Sequence, residues 1–213
     1  MIYNLSHPYE HLKQEAAKEA AEYLKPHISK IIFLQEDLCS FWYQFIMQEA
    51  TVDGLHAEFG VHTGNNINAF SALNPKIKWY GFDSFYGLNE NWKGGLFAKG
   101  FFSLDGEKPK VNNNVELVVG TFQNTLVPFL QKHKEPFSVV YIDCDTYEST
   151  KCVLDAIGKD RLVSGTIVCF DEYFGYPGWK FNEFKAWQEC CNKNNIRYEY
   201  IIVSNWAVAV KIL

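Results

Sequence analysis

Four acidic residues follow two apolar segments of the sequence. Asp143 and Asp145 come after the run FSVVYI, and Asp171 and Glu172 come after TIVCF. Apolar runs of this kind are typical of buried parallel strands, whose carboxyl ends meet at one edge of a sheet. We therefore expect the four carboxylates to lie close together, where their charges repel one another.

A hard divalent cation would relieve this repulsion. All-oxygen ligands with open positions suit Mg²⁺, and no His or Cys lies at a spacing that favours zinc. Such an ion lowers the pKa of an acceptor hydroxyl, and a nearby carboxylate can then remove the proton. The alternative is structural, since acids at strand ends also cap helices or pair with Lys and Arg. The set of four favours the metal site.

A glycine-containing turn earlier in the chain suits a nucleotide-like ligand. Gly60 and Gly64 in AEFGVHTG let the backbone turn tightly, and the helix that follows presents free N–H groups. The dinucleotide motif G-x-G-x-x-G is incomplete here, which argues against NAD. The turn suits the amino-acid end of S-adenosylmethionine, with Glu58 facing the ammonium group. The alternative is a tight structural turn with Glu58 in a surface ion pair.

A further carboxylate supports the cofactor interpretation. Asp83 follows Glu58 by 25 residues and ends the next strand-like run, WYGFD. A carboxylate at this position of a doubly wound sheet accepts hydrogen bonds from ribose hydroxyls. The pair of features favours a cofactor site over an isolated structural turn.

The elements that position these residues alternate between strands and helices. The predicted order is strand 57–61, helix 65–73, strand 79–85, loop 86–114, strand 115–119, helix 124–133, strand 137–145, helix from 149, strand 165–173 and helix 180–194. The runs RYEYIIV and WAVAVKIL, joined by Ser204 and Asn205, predict an antiparallel hairpin. Together these patterns predict a parallel sheet covered on both faces, with an added hairpin.

The first fifty residues differ from the rest. Residues 11–24 are rich in Ala, Glu and Lys, and residues 36–49 form a more aromatic stretch with helical spacing. We predict an N-terminal helical extension over residues 1–50, followed by one domain over residues 51–213. Whether these helices cap the site or form a homo-oligomer interface is left open by the sequence.

Composition narrows the classes of partner. A net charge of −5 without a basic run argues against nucleic acid, which needs clustered Lys and Arg. No apolar run reaches membrane-spanning length and the N-terminus does not resemble a signal peptide, so we expect a cytoplasmic protein without a membrane partner. None of the six cysteines forms a C-x-x-C pair, and Cys144 and Cys169 are expected to be buried thiols. A small molecule is the expected partner.

Five segments together resemble a known family. AEFGVHTG, GFDSFYGL, VVGTFQNTL, YIDCDTYEST and FDEYFGYPGW are similar, in this order, to the macrocin O-methyltransferase (TylF-type) family of class I S-adenosylmethionine-dependent methyltransferases. The resemblance runs from about Gly54 to the C-terminus. It implies a Rossmann-like α/β fold with a mostly parallel seven-stranded sheet and a C-terminal antiparallel hairpin. The implied activity is O-methylation of a hydroxyl on a sugar or glycosylated metabolite, with Mg²⁺.

The resemblance also implies roles for individual residues. Asp143, Asp171 and Glu172 match magnesium positions, and Asp145 matches a carboxylate proposed as the general base. The positions that match the cofactor-binding motifs are Glu58, Gly60, Gly64, Asp83, Ser84, Phe85, Gly120, Thr121 and Phe122.

The sequence departs from the family pattern at three places. Thr63-Gly64-Asn65 stands where the family often has Arg-Gly-Gly, so the contact to the cofactor carboxylate is expected to differ. Asn89 replaces the usual Pro after GFDSFYGL. Glu172 replaces the second Asp of the metal pair.

Other interpretations remain open at this point. The D-x-D segment also occurs in metal-dependent glycosyltransferases, and the fold could serve as a non-catalytic cofactor-binding module. The aromatic residues near the acids could either stack on a sugar ring or pack in the core. These aromatic residues are Tyr147, Tyr173, Tyr176 and Trp179.

Overall fold

An eight-stranded sheet forms the centre of the protein. The computed structural model describes residues 7–35, 40–158 and 160–213. The strands are β1 (Ile32–Phe33), β2 (Leu55–Phe59), β3 (Trp79–Asp83), β4 (Val115–Val119), β5 (Phe137–Ile142), β6 (Ile167–Phe170), β7 (Tyr198–Val203) and β8 (Val208–Ile212). Their order is β1-β7-β8-β6-β5-β2-β3-β4, and β8 runs antiparallel to both neighbours. The predicted mostly parallel sheet with a terminal hairpin is therefore confirmed.

Helices cover both faces of this sheet. They are α1 (Pro8–Leu24), α2 (Ser40–Glu49), α3 (Asn65–Leu73), α4 (Phe122–Lys132), α5 (Tyr147–Ile157) and α6 (Glu183–Asn194). One core cluster joins α1, α4, α5 and α6 to one face, and a second joins α2 and α3 to the other. The strands β5 and β6 are buried at every position, as the near-continuous apolar runs predict.

The register of the central strands brings the predicted site residues to one edge. Phe59 pairs with Ile142 and also with Phe82, and Ile142 pairs with Phe170. The four strands β2, β3, β5 and β6 therefore end side by side. The residues that directly follow them meet at the same edge of the sheet.

The strand count differs from the predicted seven. Ile32 and Phe33 form a parallel pair with Ile202 and Val203, which adds an eighth strand from the N-terminal segment. A two-residue strand that is exposed at both positions has no readable periodicity, so the sequence pattern missed it. The division of the chain at residue 50 stays a prediction.

The helices agree with the predicted ranges apart from their ends. The predicted helix 36–49 is described from Ser40 onward, and residues 36–39, with Cys39, lie outside the described residues. The helices α4 and α5 begin two residues earlier than predicted, after Thr121 and Thr146 respectively. End positions of this kind depend on cap geometry rather than on hydrophobic spacing.

The long segment 86–114 has no helix, but it is packed. Leu88 and Trp92 are 8% and 4% exposed, and both belong to the main core cluster. The rings of Phe97 and Phe101 stack with centroids 4.2 Å apart. Aromatic contacts therefore order a loop that the sequence describes only as polar and glycine-containing.

Two predictions from composition concern the cysteines and membrane-spanning segments. Cys144 and Cys169 are 7% and 0% exposed and carry free thiols, as expected. Among the described helices, none has both the length and the apolar character that crossing a membrane requires. The cytoplasmic location stays a prediction.

Candidate active site

The strand ends build one cavity of about 310 Å³. Its wall combines the cofactor-type residues with the acids, as the shared edge of the sheet predicts. The cofactor-type residues on the wall are Gly60, Asp83, Ser84, Gly120, Thr121 and Phe122. The acids on the wall are Asp143, Asp145, Asp171 and Glu172. All four acids and six of the nine predicted cofactor residues thus face the same space.

Gly60 joins the glycine turn to the first acid. Its φ is +96°, and a Cβ atom there would lie 1.7 Å from the backbone oxygen of Asp143. The N–H of Gly60 donates to the carbonyl of Phe82, and the N–H of Asp143 donates to the carbonyl of Phe59. Glycine is required here because the backbones after β2 and β5 touch.

Asp83 organises this turn. The N–H groups of Val61 and His62 both donate to its Oδ2 at 2.8 Å, and the N–H of Phe85 donates to its Oδ1 at 2.7 Å. A carboxylate oxygen accepts two hydrogen bonds, so Oδ1 retains capacity for a ligand hydroxyl. Asp83 therefore holds the loop in shape and still faces the cavity.

Three predicted cofactor residues do not line the cavity. Glu58 is 1% exposed, and its Oε2 has no hydrogen-bond partner among the described residues. Burial, followed by the charges of Asp171 and Asp83, raises the pKa of Glu58 well above its ordinary value. Gly64 precedes α3 with a φ of +83°, and Phe85 packs in the core at 1% exposure. The role of Glu58 toward an ammonium group stays a prediction.

The carboxylates of Asp143, Asp171 and Glu172 are arranged to hold a cation. One oxygen of each lies within 4.8 Å of the other two. Oxygens bound to a single Mg²⁺ are about 3–4 Å apart, because the Mg–O distance is about 2.1 Å. The buried Oε2 of Glu172 also has no hydrogen-bond partner among the described residues. The oxygens are thus close enough to share one hard cation, so these residues fit Mg²⁺.

The electrostatics of the cluster point the same way. Burial, and then the charge of Asp171, raises the pKa of Asp143 well above its ordinary range. Burial, followed by the charges of Asp145 and Asp171, does the same to the pKa of Glu172. None of the ion pairs formed within the described ranges includes Asp143, Asp145 or Glu172. Among the described residues, the charge of these three carboxylates is therefore not balanced by Lys or Arg, and a cation would relieve it.

Glu183 is a further acid that sequence reasoning missed. It is fully buried at the start of α6, and its Oε2 accepts a hydrogen bond from the N–H of Glu172 at 3.2 Å. Burial, with the charges of Asp145 and Asp171, raises its pKa well above the ordinary value. Glu is common in the first turn of helices, so its position in the sequence gave no signal.

Asp145 has an unusual backbone. Its φ is +59°, and the N–H of Thr146 donates to the carbonyl of Cys144 at 2.5 Å, which closes a three-residue turn around Asp145. Its side chain lines the cavity although the residue is only 6% exposed. Burial, then Asp171 and Asp83, raises the pKa of Asp145 to about 7. A carboxylate with this pKa is suited to general-base chemistry.

Two neutral side chains orient the acids. The hydroxyl of Tyr141 donates to Oδ1 of Asp171 at 2.5 Å, and Nδ2 of Asn66 donates to Oδ2 of Asp143 at 3.0 Å. Neither donor was singled out from the sequence, because each lies inside an ordinary strand or helix. Their contacts join residues 30 and 77 positions apart, which local patterns do not encode.

The aromatic residues near the acids pack in the core. Tyr173, Tyr176 and Trp179 are at most 1% exposed and do not line the cavity. The hydroxyl of Tyr147 donates to Glu189 at 2.7 Å, and this ring also lies outside the cavity wall. For Tyr173, Tyr176 and Trp179, core packing is therefore the correct one of the two alternatives left by the sequence. The aromatic residues on the wall are instead Phe102 and Phe122.

Known structures share this architecture. Two structures of CalS11, a calicheamicin methyltransferase also described as TDP-rhamnose 3′-O-methyltransferase, match with TM-scores of 0.68 and 0.59. They are 22% and 24% identical and cover 95% and 81% of this chain, and 91% and 78% of theirs. The O-methyltransferase NovP matches with a TM-score of 0.56 at 21% identity, over 80% of this chain and 78% of its own. At these identities the likeness shows the fold alone.

A curated relative matches only locally. BTB and MATH domain-containing protein 38 of Caenorhabditis elegans is 37% identical over an alignment of 86 residues that covers 36% of this chain and 22% of that protein. The chain thus spans about a fifth of the length of this relative, and the match does not assign a family.

The family assignment comes from the central part of the chain. Residues 57–173 match the family described as methyltransferase domain, which is more than half of the sequence. The matched range begins within β2 and ends just after the acids Asp171 and Glu172, so it contains the glycine turn and the acid cluster. The chain belongs to the methyltransferase domain family and has the class I fold of S-adenosylmethionine-dependent methyltransferases.

Proposed function

We propose that the protein is a Mg²⁺-dependent O-methyltransferase that methylates a hydroxyl group of a sugar or a glycosylated metabolite. The family supports methyl transfer from S-adenosylmethionine. We further propose that the acceptor is an oxygen atom of a sugar and that the reaction depends on a metal. We also propose a closer relationship to the macrocin O-methyltransferases.

One observation carries the proposal. The glycine turn after β2 and the carboxylates after β5 and β6 line the same cavity, and Gly60 touches the backbone of Asp143. A methyl donor seated on the turn and an oxygen acceptor seated on the acids would therefore be neighbours. Alignment of two reactants at close range supplies much of the acceleration in such a transfer.

The residues divide the chemistry between them. Asp143, Asp171 and Glu172 would hold the ion, and Asp145 would accept the proton of the acceptor hydroxyl. The acceptor oxygen forms a bond to the methyl carbon while the bond between that carbon and sulfur breaks. When bound, Mg²⁺ lowers the pKa of the hydroxyl. The raised pKa of Asp145, about 7, suits a group that must take up a proton near neutrality.

The described wall of the cavity is acidic. Among the described residues that line it, none is Lys or Arg, whereas five are Asp or Glu. A phosphate group has no basic side chain to meet there. A phosphate group on the acceptor would therefore have to bind the proposed Mg²⁺ or lie outside this wall.

Methyl transfer with labelled S-adenosylmethionine tests the proposal. The purified protein is incubated with a panel of neutral glycosides, amino sugars and nucleotide sugars, with Mg²⁺ or with EDTA. We expect label in a sugar-containing product only when Mg²⁺ is present. In parallel, calorimetry should show binding of S-adenosylhomocysteine and no binding of a uridine nucleotide.

The outcomes separate the parts of the proposal. Labelled product in EDTA would remove the metal dependence. Transfer to nitrogen or carbon acceptors alone would remove the assignment to oxygen. Tight binding of the uridine nucleotide in place of S-adenosylhomocysteine would favour the glycosyltransferase alternative.

A further inference from the structure

A short chain of hydrogen bonds connects an N-terminal helix to the acid cluster. The hydroxyl of Tyr43, in α2, donates to Oδ1 of Asn66 at 2.8 Å. Nδ2 of Asn66, in the first turn of α3, donates to Oδ2 of Asp143 at 3.0 Å. All three residues are partly buried. Two hydrogen bonds therefore connect the N-terminal segment to one carboxylate of the acid cluster.

Tyr43 fixes the direction of the Asn66 amide. With a cation bound, Asp143 would be ionised and would only accept hydrogen bonds, so the NH₂ end of Asn66 would have to face it, as it does here. The amide oxygen then faces Tyr43, which supplies the matching donor. If the tyrosine hydroxyl were absent, the amide would lose its fixed partner and could rotate. The pair thus holds a donor against one oxygen of Asp143.

Packing holds Tyr43 in turn. Its ring meets that of Phe70 edge to face with centroids 4.8 Å apart. The neighbouring Trp42 and Ile46 are fully buried in the core cluster that also contains Phe70. The helix α2 is therefore fastened to α3, and the hydroxyl of Tyr43 is presented at a fixed place.

We propose that Asn66 and Tyr43 are positioning residues for the cation site. Through Tyr43, the helix α2 would help to orient Asp143. The inference rests on the proposed function, because it takes Asp143 as a ligand of Mg²⁺. Neither residue lines the cavity, so they act through Asp143 and not on the reactants. Outer residues that orient a ligand typically change metal affinity by about 10–100-fold when they are replaced.

A double-mutant cycle tests the proposal. Asn66→Leu, Tyr43→Phe and the double variant are compared with the unchanged protein by calorimetric titration of Mg²⁺ into protein saturated with S-adenosylhomocysteine. We expect Asn66→Leu to weaken Mg²⁺ binding by about 10–100-fold. Tyr43→Phe should weaken it less, and the double variant should match Asn66→Leu, because the proposal has Tyr43 affect the metal through Asn66.

Two controls separate positioning from general damage. Tyr23→Phe makes the same change in α1, where the hydroxyl accepts a bond from Tyr200 at 3.2 Å, and should leave Mg²⁺ affinity unchanged. The affinity for S-adenosylhomocysteine should stay within about twofold in Tyr43→Phe and Asn66→Leu. A purely structural role for Tyr43 would lower thermal stability without this selective loss of metal affinity.

Four results would contradict the proposals, at three levels. Unchanged Mg²⁺ affinity in Asn66→Leu, or additive losses in the double variant, overturns the positioning role alone. Absence of Mg²⁺ binding by the unchanged protein overturns the metal site and the positioning role together. Failure of the unchanged protein to bind S-adenosylhomocysteine contradicts the proposed function itself.

Discussion

Replacement of Asp145 by Asn should stabilise the metal-free protein and stop methyl transfer. The side chain is nearly buried among other acids, and its pKa rises from 3.8 to about 7. Because folding raises this pKa, the carboxyl group contributes its full stability at pH values below its ordinary pKa. That contribution is lost as the pH rises through the pKa of the folded state. The ionised form therefore opposes folding at pH 8, and the amide removes this opposition.

The expected size follows from the pKa shift. One pKa unit corresponds to about 1.36 kcal/mol, so a rise of about three units costs about 4 kcal/mol once the group is ionised in both states. At pH 5 the folded form is still protonated, and the cost is about 1–2 kcal/mol. Asn also tolerates the left-handed backbone at this position, where φ is +59°. The gain should thus grow by about 2–3 kcal/mol between pH 5 and pH 8.

Urea denaturation followed by circular dichroism, with EDTA present, measures this at both pH values. Asp155→Asn is the matched control, because Asp155 is half-exposed and its hydrogen bonds from Lys151 and Lys193 lower its pKa. The control should lose a little stability at pH 8. If the free energy of unfolding of Asp145→Asn at pH 8 is no higher than that of the unchanged protein, the raised pKa of Asp145 does not oppose folding. Retained turnover would refute the assignment of Asp145 as the base.

Two further predictions concern the turn and the cation. Gly60→Ala should lower the free energy of unfolding by about 3 kcal/mol or more and abolish binding of S-adenosylhomocysteine, because its Cβ would overlap a backbone oxygen. Gly100→Ala, at a φ of +84° with open space around it, should cost only about 1 kcal/mol, and equal losses in the two variants by urea denaturation would contradict this account. Mg²⁺ should raise the melting temperature more at pH 8 than at pH 5, because protons compete for Asp143 and Glu172, whose pKa values are raised. A calorimetric scan that shows the same increase at both pH values would argue against a cation at this cluster.

The main lines of the fold follow from the sequence. Buried apolar runs such as Phe137–Ile142 predict parallel strands, and the residues after them predict the edge where the site lies. The hairpin of Tyr198–Val203 with Val208–Ile212 also follows, because a short polar turn separates two strand-like runs. These features are local in the chain, and periodicity records them directly.

The contacts across the chain could not be predicted in the same way. Nothing near Glu183 in the sequence indicates that it lies under Glu172, and nothing near Asn66 indicates Asp143. The short β1 strand is recognised only by its partner, β7. Asp83 was predicted as a ribose ligand, but its three bonds from backbone N–H groups are visible only once the turn is folded. Tertiary packing determines these contacts, and a single sequence does not show which distant residues pack together.

The place of β8 has a consequence for synthesis on the ribosome. This strand follows all the others in the chain, yet it lies between β6 and β7 and is their only link in the described sheet. A nascent chain that has not yet released residues 208–212 must carry two open strand edges, one of them the fully buried Ile167–Phe170. Open edges of this kind pair readily with other chains. We therefore expect the emerging polypeptide to need protection from aggregation until its final strand inserts, and deletion of that strand to yield insoluble protein.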